Sequence, residues 1–190
     1  MTPIATQDPV LAAGAMSNGP DALYEIVDGQ YVELPPMSTC AVRIASLLVK
    51  ALEVFAEEHK LGRAVAEMLF ALDAKGKLKR RPDVAFVSYA RWAKGRRLPD
   101  TDPWMVVPEL AIEVVSPNDL AEDLRKKVQE YFQAGAQLVW VVYPKLGLVD
   151  VYESQSVVRV RTLAEELDGG SVLPDLRLPV AVLFEEGEAE

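Results

Sequence analysis

Leu110-Ala111-Ile112-Glu113-Val114-Val115 is an apolar run with one carboxylate set inside it, and its reading decides the fold. A short apolar run bounded by polar residues is a buried strand. Alternate side chains of a strand face opposite ways, so Glu113 points away from Ile112 and Val114. Its near neighbours are all apolar. A carboxylate buried there alone costs several kcal/mol, a large share of a domain's whole stability. Glu113 therefore requires a cation or a metal ion beside it. Two other charged residues are placed to meet it. Pro82 precedes the strand Asp83-Val84-Ala85-Phe86-Val87, at whose start the Asp83 side chain can face the same spot. Downstream, Leu120, Leu124, Lys127, Val128 and Tyr131 share one stripe of a helix, which puts an ammonium on a face that is otherwise buried.

The surrounding elements follow from local chemistry. Leu23-Tyr24-Glu25-Ile26-Val27 and Gln30-Tyr31-Val32-Glu33-Leu34 flank Asp28-Gly29, the strongest short hairpin signal. Ser38 or Thr39 caps a helix running to about His59 on Val42, Ala45, Leu48, Val49, Leu52 and Phe55, with Gly62 closing the turn after it. Ala64 to Leu72 reads as a strand with Glu67 inside it. The turn from Asp73 to Lys77, which contains Gly76, predicts a second hairpin. Ser88 to Val107 is irregular and basic. Ser116-Pro117-Asn118-Asp119 starts the helix that carries Lys127, and Gly135 stops it. Strands follow at 138–142, 149–152 and 157–160, and the segment from Leu173 to Pro179 leads into a short helical turn at Leu183-Phe184. Residues 1–21 read as a mobile leader and 22–190 as one domain.

The 190 residues, half of them hydrophobic, suffice for one sizeable core. A net charge of −9 excludes a protein that coats nucleic acid by bulk charge, because such binding comes from Lys and Arg neutralising phosphates. Contact with DNA would be local. Cys40 is the one cysteine, so no intrachain disulfide forms. No apolar run approaches the roughly 18 residues of a membrane helix, and no secretory signal opens the chain. A cytoplasmic protein with no membrane partner is the expectation.

The charged residues admit two readings. Asp83 and Glu113 on adjacent strands are oxygen ligands of the kind Mg2+ accepts, through one or two acids plus waters and a substrate phosphate. Lys127 would then position the attacking water or stabilise phosphoryl charge. Alternatively, Asp83 caps a turn, Glu113 pairs with an arginine such as Arg81, and Lys127 pairs with Asp123 or snorkels to the edge of the core. Cys40 reads as a small core residue rather than a nucleophile, and His59 as a solvated helix end. The basic run Arg91, Lys94, Arg96 and Arg97, with Trp92, either meets phosphates and a base or is a solvated loop.

These stretches together resemble the Uma2 family, also called DUF820, of restriction-endonuclease-like proteins. The resemblance is carried by Arg81-Pro82-Asp83-Val84-Ala85-Phe86-Val87, Glu113-Val114-Val115-Ser116-Pro117-Asn118-Asp119, Asp123-Leu124-Arg125-Lys126-Lys127, Tyr131, Gly135 and Trp140-Val141-Val142. Tyr24 to Gly29 and Leu173 to Phe184 extend it, so that it covers roughly residues 22–185 in order. It implies an α/β (α+β) fold with the PD-(D/E)XK core, a mixed central β-sheet flanked by helices, here with an N-terminal β-hairpin. It also implies Asp83 as the acid of the PD element, Glu113 as the second acid and Glu67 as a further ligand. The lysine usual two residues after Glu113 is replaced by Val115, and the family's lysine on the following helix corresponds to Lys127. Where family members carry Glu-His-Asn at the start of the first long helix, this chain reads Cys40-Ala41-Val42.

The expectation is a divalent-metal-dependent endonuclease that hydrolyses DNA phosphodiester bonds, with Asp83, Glu113 and Lys127 catalytic. Asp83, Glu113, Glu67 and the Val114 carbonyl would hold Mg2+ (or Mn2+). Arg81, Tyr131, Arg96 and Arg97 would face the substrate, and the protein would form a homodimer. The alternative is a non-catalytic homodimeric assembly module that retains the nuclease fold and uses apolar surface on the Trp140 strand or the 148–160 hairpin. Hydrolysis of another phosphate ester is a third reading.

Overall fold

The computed structural model describes residues 22–185. The expected leader, and the last five residues of the expected domain, lie outside the described residues. In chain order the elements are β1 (Tyr24–Val27), β2 (Gln30–Glu33), α1 (Thr39–His59), β3 (Gly62–Ala66), β4 (Phe70–Ala71), β5 (Lys79–Arg80), β6 (Val84–Ser88) and β7 (Leu110–Val114). They continue with α2 (Ala121–Ala134), β8 (Leu138–Tyr143), β9 (Leu148–Tyr152), β10 (Val158–Thr162), β11 (Glu166–Gly169), β12 (Leu173–Pro179) and α3 (Ala181–Phe184).

The central sheet has the order β10-β9-β8-β7-β6-β3. Only β7 and β8 pair in parallel, because α2 carries the chain back over the sheet between them. The other neighbours are antiparallel, so the sheet is mixed and open. Pleat alternation divides the core in two. Val84, Phe86, Leu110, Ile112, Val114 and Trp140 face α1, β12 and α3. Ala85, Val87, Ala111, Val139 and Val141 face α2 and the segment holding Trp92 and Trp104. A second sheet, β2-β1-β5-β4, contains both the expected hairpins. Asp28 and Gly29 both have positive φ, 54° and 79°, the backbone that a two-residue hairpin turn requires.

Several expectations are corrected. The buried stripe of α1 is Ala41, Ile44, Ala45, Leu48, Leu52 and Ala56, whereas Val42 is exposed. Ala45, Leu48 and Leu52 belong to both stripes, and the buried face is turned toward Ala41, Ile44 and Ala56 and away from Val42. Lys60, at φ 56°, closes α1, and its N–H bonds to the Ala56 and Glu57 carbonyls. Gly62 instead begins β3. The expected strand 64–72 breaks at Glu67, whose φ is 48°. Ser116–Asp119 form a turn, with the Ser116 N–H on Asp119 Oδ2 at 2.7 Å, so α2 begins later and Leu120 lies outside it, exposed. Cys40 is exposed rather than a core residue. Trp140 is fully buried, so its strand offers no surface for a partner. The β11/β12 hairpin, absent from the sequence reading, covers the α1 face with Leu167, Leu173, Leu176 and Leu178. Among the described residues no helix is long and apolar enough to cross a membrane.

At Gly62 an added Cβ would stand 2.3 Å from the Val87 carbonyl oxygen and 2.5 Å from the Phe86 ring, neither free to retreat. Gly62→Ala is therefore expected to lower the unfolding free energy by about 2 kcal/mol, the usual scale of overpacking. Urea titration of the two proteins measures it, and an unchanged midpoint would contradict the packing described.

Candidate active site

Register and pleat bring the two acids together. Asp83 precedes β6 in phase with Ala85 and Val87, and Glu113 is in phase with Ala111, so both acids face α2. The β6/β7 register pairs Val84 with Ile112, and one step further sets Asp83 opposite Glu113. The β3/β6 register pairs Ala66 with Val84, and the Glu67 N–H donates to the Asp83 carbonyl at 3.1 Å. Glu67, Asp83 and Glu113 thus stand in one row across three adjacent strand ends. Its positive φ takes Glu67 out of the pleat. Its carboxylate makes no hydrogen bond or ion pair among the described residues.

Glu113 is held from two sides. The Tyr131 hydroxyl donates to Oε1 at 2.7 Å and Lys127 Nζ donates to Oε2 at 3.0 Å. Both holders come from one turn of α2. Asp83 Oδ2 accepts the Val114 N–H at 2.5 Å, which locks the first acid to the strand of the second. Lys127 Nζ is also 3.5 Å from Oε1 of Glu25 on β1. Glu25 is 1 % exposed, accepts the Arg81 N–H at 3.0 Å and takes Arg80 Nη1 at 2.6 Å. Arg80 Nε in turn donates to Glu130 Oε2 at 2.6 Å. A buried chain of charge therefore runs Glu113–Lys127–Glu25–Arg80–Glu130, with Asp83 beside its first member.

The balance within this group is negative: the carboxylates of Asp83, Glu113, Glu25 and Glu130 face the cations of Lys127 and Arg80, with Lys126 Nζ 3.9 Å from Glu130 Oε1 at its edge. Burial, followed by the neighbouring Glu113 charge, pushes Asp83 up to about 7. Burial likewise raises Glu113, against the pull of Lys127 and the hydrogen bond from Tyr131. Burial alone would lower Lys127, but Glu113 and Glu25 outweigh it and hold the ammonium above its ordinary range. Burial and the Glu113 charge also raise Tyr131, so its hydroxyl stays a donor.

A cavity of about 80 Å3 opens over Asp83, Glu113 and Lys127, with Glu67, Arg81, Ser116 and Asp119 on its walls and the segment 34–37 beside it. That is room for an ion with several waters. Among the described residues no three His, Cys, Asp or Glu side chains form a ready-made metal cluster. Mg2+ does not need one, since it keeps several waters and takes one or two carboxylates plus substrate phosphate. Two adjoining acids, an excess of negative charge and a free carboxylate at the rim fit that donor set. A second cavity of about 410 Å3 shares Ser116 and Asp119 with the first and includes Cys40 in its wall.

The remaining candidates are placed as follows. Val114 lines the first cavity. Tyr131 is fully buried behind Glu113. Arg81 reaches the cavity wall, with its guanidinium on Asp102 Oδ2 at 2.7 Å and on the Glu67 carbonyl. Arg96 stacks on Trp92 at 3.6 Å, and Arg97 pairs with Asp100 at 2.8 Å; neither lines the cavity. Sequence reasoning missed Glu25, Arg80 and Glu130. Glu25 carried a readable signal, an acid inside the strand run 23–27, on the opposite face to Tyr24 and Ile26. The long-range pairing of Arg80 with Glu130 had none.

Asp83 binds its proton more tightly in the folded protein, with its pKa at about 7, than in the unfolded chain at ~3.9. The folded state holds more protons between those values, so stability falls as pH rises through that window. Asp83→Asn keeps the acceptor for the Val114 N–H and removes the titration. It is expected to be more stable than the parent by about 2 kcal/mol at pH 8, with a smaller difference at pH 5. Urea titrations at both pH values check this, and equal differences would refute the buried, coupled carboxylate.

A family model described as "Putative restriction endonuclease", that of Uma2, matches residues 12–181. A solved structure described as a putative nuclease belonging to DUF820 from Anabaena variabilis shares the fold, with a TM-score of 0.74 at 20% identity. The match covers 85% of this chain and 89% of that one. No curated protein matches. The nuclease-type core expected from the sequence is the fold found, and with its family model spanning most of its length the chain belongs to the Uma2 family.

Proposed function

We propose that the protein is a divalent-metal-dependent endonuclease that hydrolyses DNA phosphodiester bonds, with Mg2+ (or Mn2+) as its cofactor. The observation that carries this reading is Asp83 set opposite Glu113 with Lys127 Nζ 3.0 Å from the second acid. Asp83 and Glu113 would hold the cation, with the Val114 carbonyl and Glu67 as further oxygen donors. The cation, when bound, makes its water a stronger nucleophile and neutralises charge on the phosphoryl oxygens. The chain's own groups do the positioning. Tyr131 fixes the plane of the Glu113 carboxylate. Lys127 presents an N–H to the cavity, where it orients the water or a phosphoryl oxygen. The basic segment 88–107 touches the cavity wall through Asp102 and Arg81, so Arg96 and Arg97 would contact DNA locally from this side. That suits a chain whose net charge of −9 rules out binding by bulk charge.

Calorimetric titration with Mn2+ and Mg2+ tests the reading together with cleavage of plasmid and linear DNA. Asp83→Asn and Glu113→Gln are each expected to weaken metal binding more than tenfold and to abolish cleavage. Variants that bind metal and cut as the parent does would overturn the assignment. Because the cation displaces the Asp83 proton, parent affinity should rise about tenfold per pH unit below 7 and level off above it. A flat profile from pH 5.5 to 8 would exclude Asp83 as a ligand.

One observation favours the second reading, a homodimeric module. β10 is an edge strand of the central sheet, and Val158 and Val160 are 43% and 51% exposed. Val160→Lys would convert such a dimer to monomer in sedimentation. Intact cleavage by that monomer would separate assembly from chemistry.

A further inference from the structure

We infer that Glu25 is the residue that keeps Lys127 in place once Glu113 turns to the cation, which makes the N-terminal hairpin a working part of the site. The inference rests on the function proposed above. It starts from a conflict within the geometry. Both oxygens of Glu113 are already engaged, Oε1 by Tyr131 and Oε2 by Lys127. A divalent ion at Asp83 and Glu113 draws on the electron density that Lys127 now uses, and it repels the ammonium. A lysine with one acceptor would be expelled into the cavity. Lys127 has a second acceptor in Glu25 Oε1, at 3.5 Å, just beyond a normal hydrogen bond. A shift of about half an ångström toward β1 shortens that contact to the usual ~2.9 Å.

Glu25 is built for this role. It is buried and cannot swing away, because Arg80 holds Oε2 at 2.6 Å and the Arg81 N–H holds Oε1 at 3.0 Å. Arg80 is itself fixed by Glu130 at 2.6 Å. With Glu113 turned to the cation, one ammonium proton answers to Glu25 and the remaining ones are left for the cavity. Glu25 lines no part of that cavity, so it acts through Lys127 as a positioning residue. The hairpin is attached to the chemistry twice: through Glu25, and through Leu23 and the segment 34–37 on the cavity wall.

The experiment follows the 15Nζ ammonium signal of Lys127, assigned by its loss in Lys127→Arg. In the parent it is expected to persist with and without Mg2+. In Glu25→Gln, which keeps an acceptor for the Arg81 N–H, it should be present without Mg2+ and exchange away when Mg2+ is added. Glu113→Gln supplies an arm that needs no metal: the signal should persist there and vanish in the double variant Glu25→Gln/Glu113→Gln. In cleavage, Glu25→Gln should lower kcat about 10- to 100-fold with KM within twofold, the usual scale for a group behind a ligand. Survival of the signal in Mg2+-loaded Glu25→Gln, or its loss in Glu113→Gln, overturns the inference. A parent that binds no Mg2+ defeats the proposed function alone, because the Glu113→Gln arm still decides whether Glu25 holds Lys127. Should Glu25→Gln fail to fold, the single variant Glu113→Gln carries the test, because loss of the signal there overturns the inference.

Discussion

The burial of the Glu113 carboxylate on the α2 face of the central sheet is the constraint to which the rest of the molecule answers. Nothing on β7 itself can compensate it, since the strand is otherwise Leu, Ala, Ile and Val. Every partner must be brought from elsewhere, and each one fixes an element. Lys127 and Tyr131 fix the rotation of α2. The Asp83 carboxylate on the Val114 N–H fixes the end of β6 against β7. Glu25, the second acceptor for Lys127, fixes the hairpin against α2. Removing one partner of such a set leaves a charge buried without compensation, which typically costs 3–5 kcal/mol.

The two faces of the sheet divide the work of folding and function. The α1 face is apolar throughout, from Ile44, Leu48 and Leu52 across Phe86, Ile112 and Trp140 to Leu167 and Leu183. Such a face supplies stability by burial alone. The α2 face gives up apolar contact where it carries Asp83, Glu113, Lys127 and Glu130. Burial and the Glu113 charge hold Asp83 at about 7, so its ionised form is disfavoured beside the second acid.

Much of this was legible in the sequence because the signals were local. Asp28-Gly29 demanded a hairpin, Ser38 capped α1 with the Ala41 N–H on its Oγ, and the single acid in 110–115 announced a buried charge. Helix phase put Lys127 and Tyr131 on the same side, and both meet Glu113. What failed was non-local or balanced between alternatives. Helix α1 is apolar around most of its circumference, so periodicity could not choose between the Val42 stripe and the Ala41 stripe; contact with the sheet chose. The break at Glu67 is a left-handed residue without glycine, and no pattern marks it. The β11/β12 hairpin has a polar first strand, Glu166-Leu167-Asp168-Gly169, whose one buried leucine is too little to register as a period.

The absence of lysine at position 115 follows from the same geometry. A side chain there would share the phase of Glu113, but Val115 packs into the apolar cluster under α2, and its N–H is bonded to the Val142 carbonyl at 2.9 Å. Position 115 is partly buried and lines the cavities beside Ser116, Asp119 and Tyr143, away from the space between Glu113 and Glu25. From α2 the ammonium arrives with its alkyl stem along the core edge and its head between two carboxylates. It also arrives with Tyr131, four residues on, so that one helical turn presents both groups that hold Glu113. The site's geometry is thereby transferred from the strand to the helix packed over it. The helix is held in turn by Glu130 on Arg80, and hence by the strand that runs into Asp83. The closed circuit from Arg80 on β5 through α2 and β7 back to Asp83 explains how four like charges remain packed in one domain.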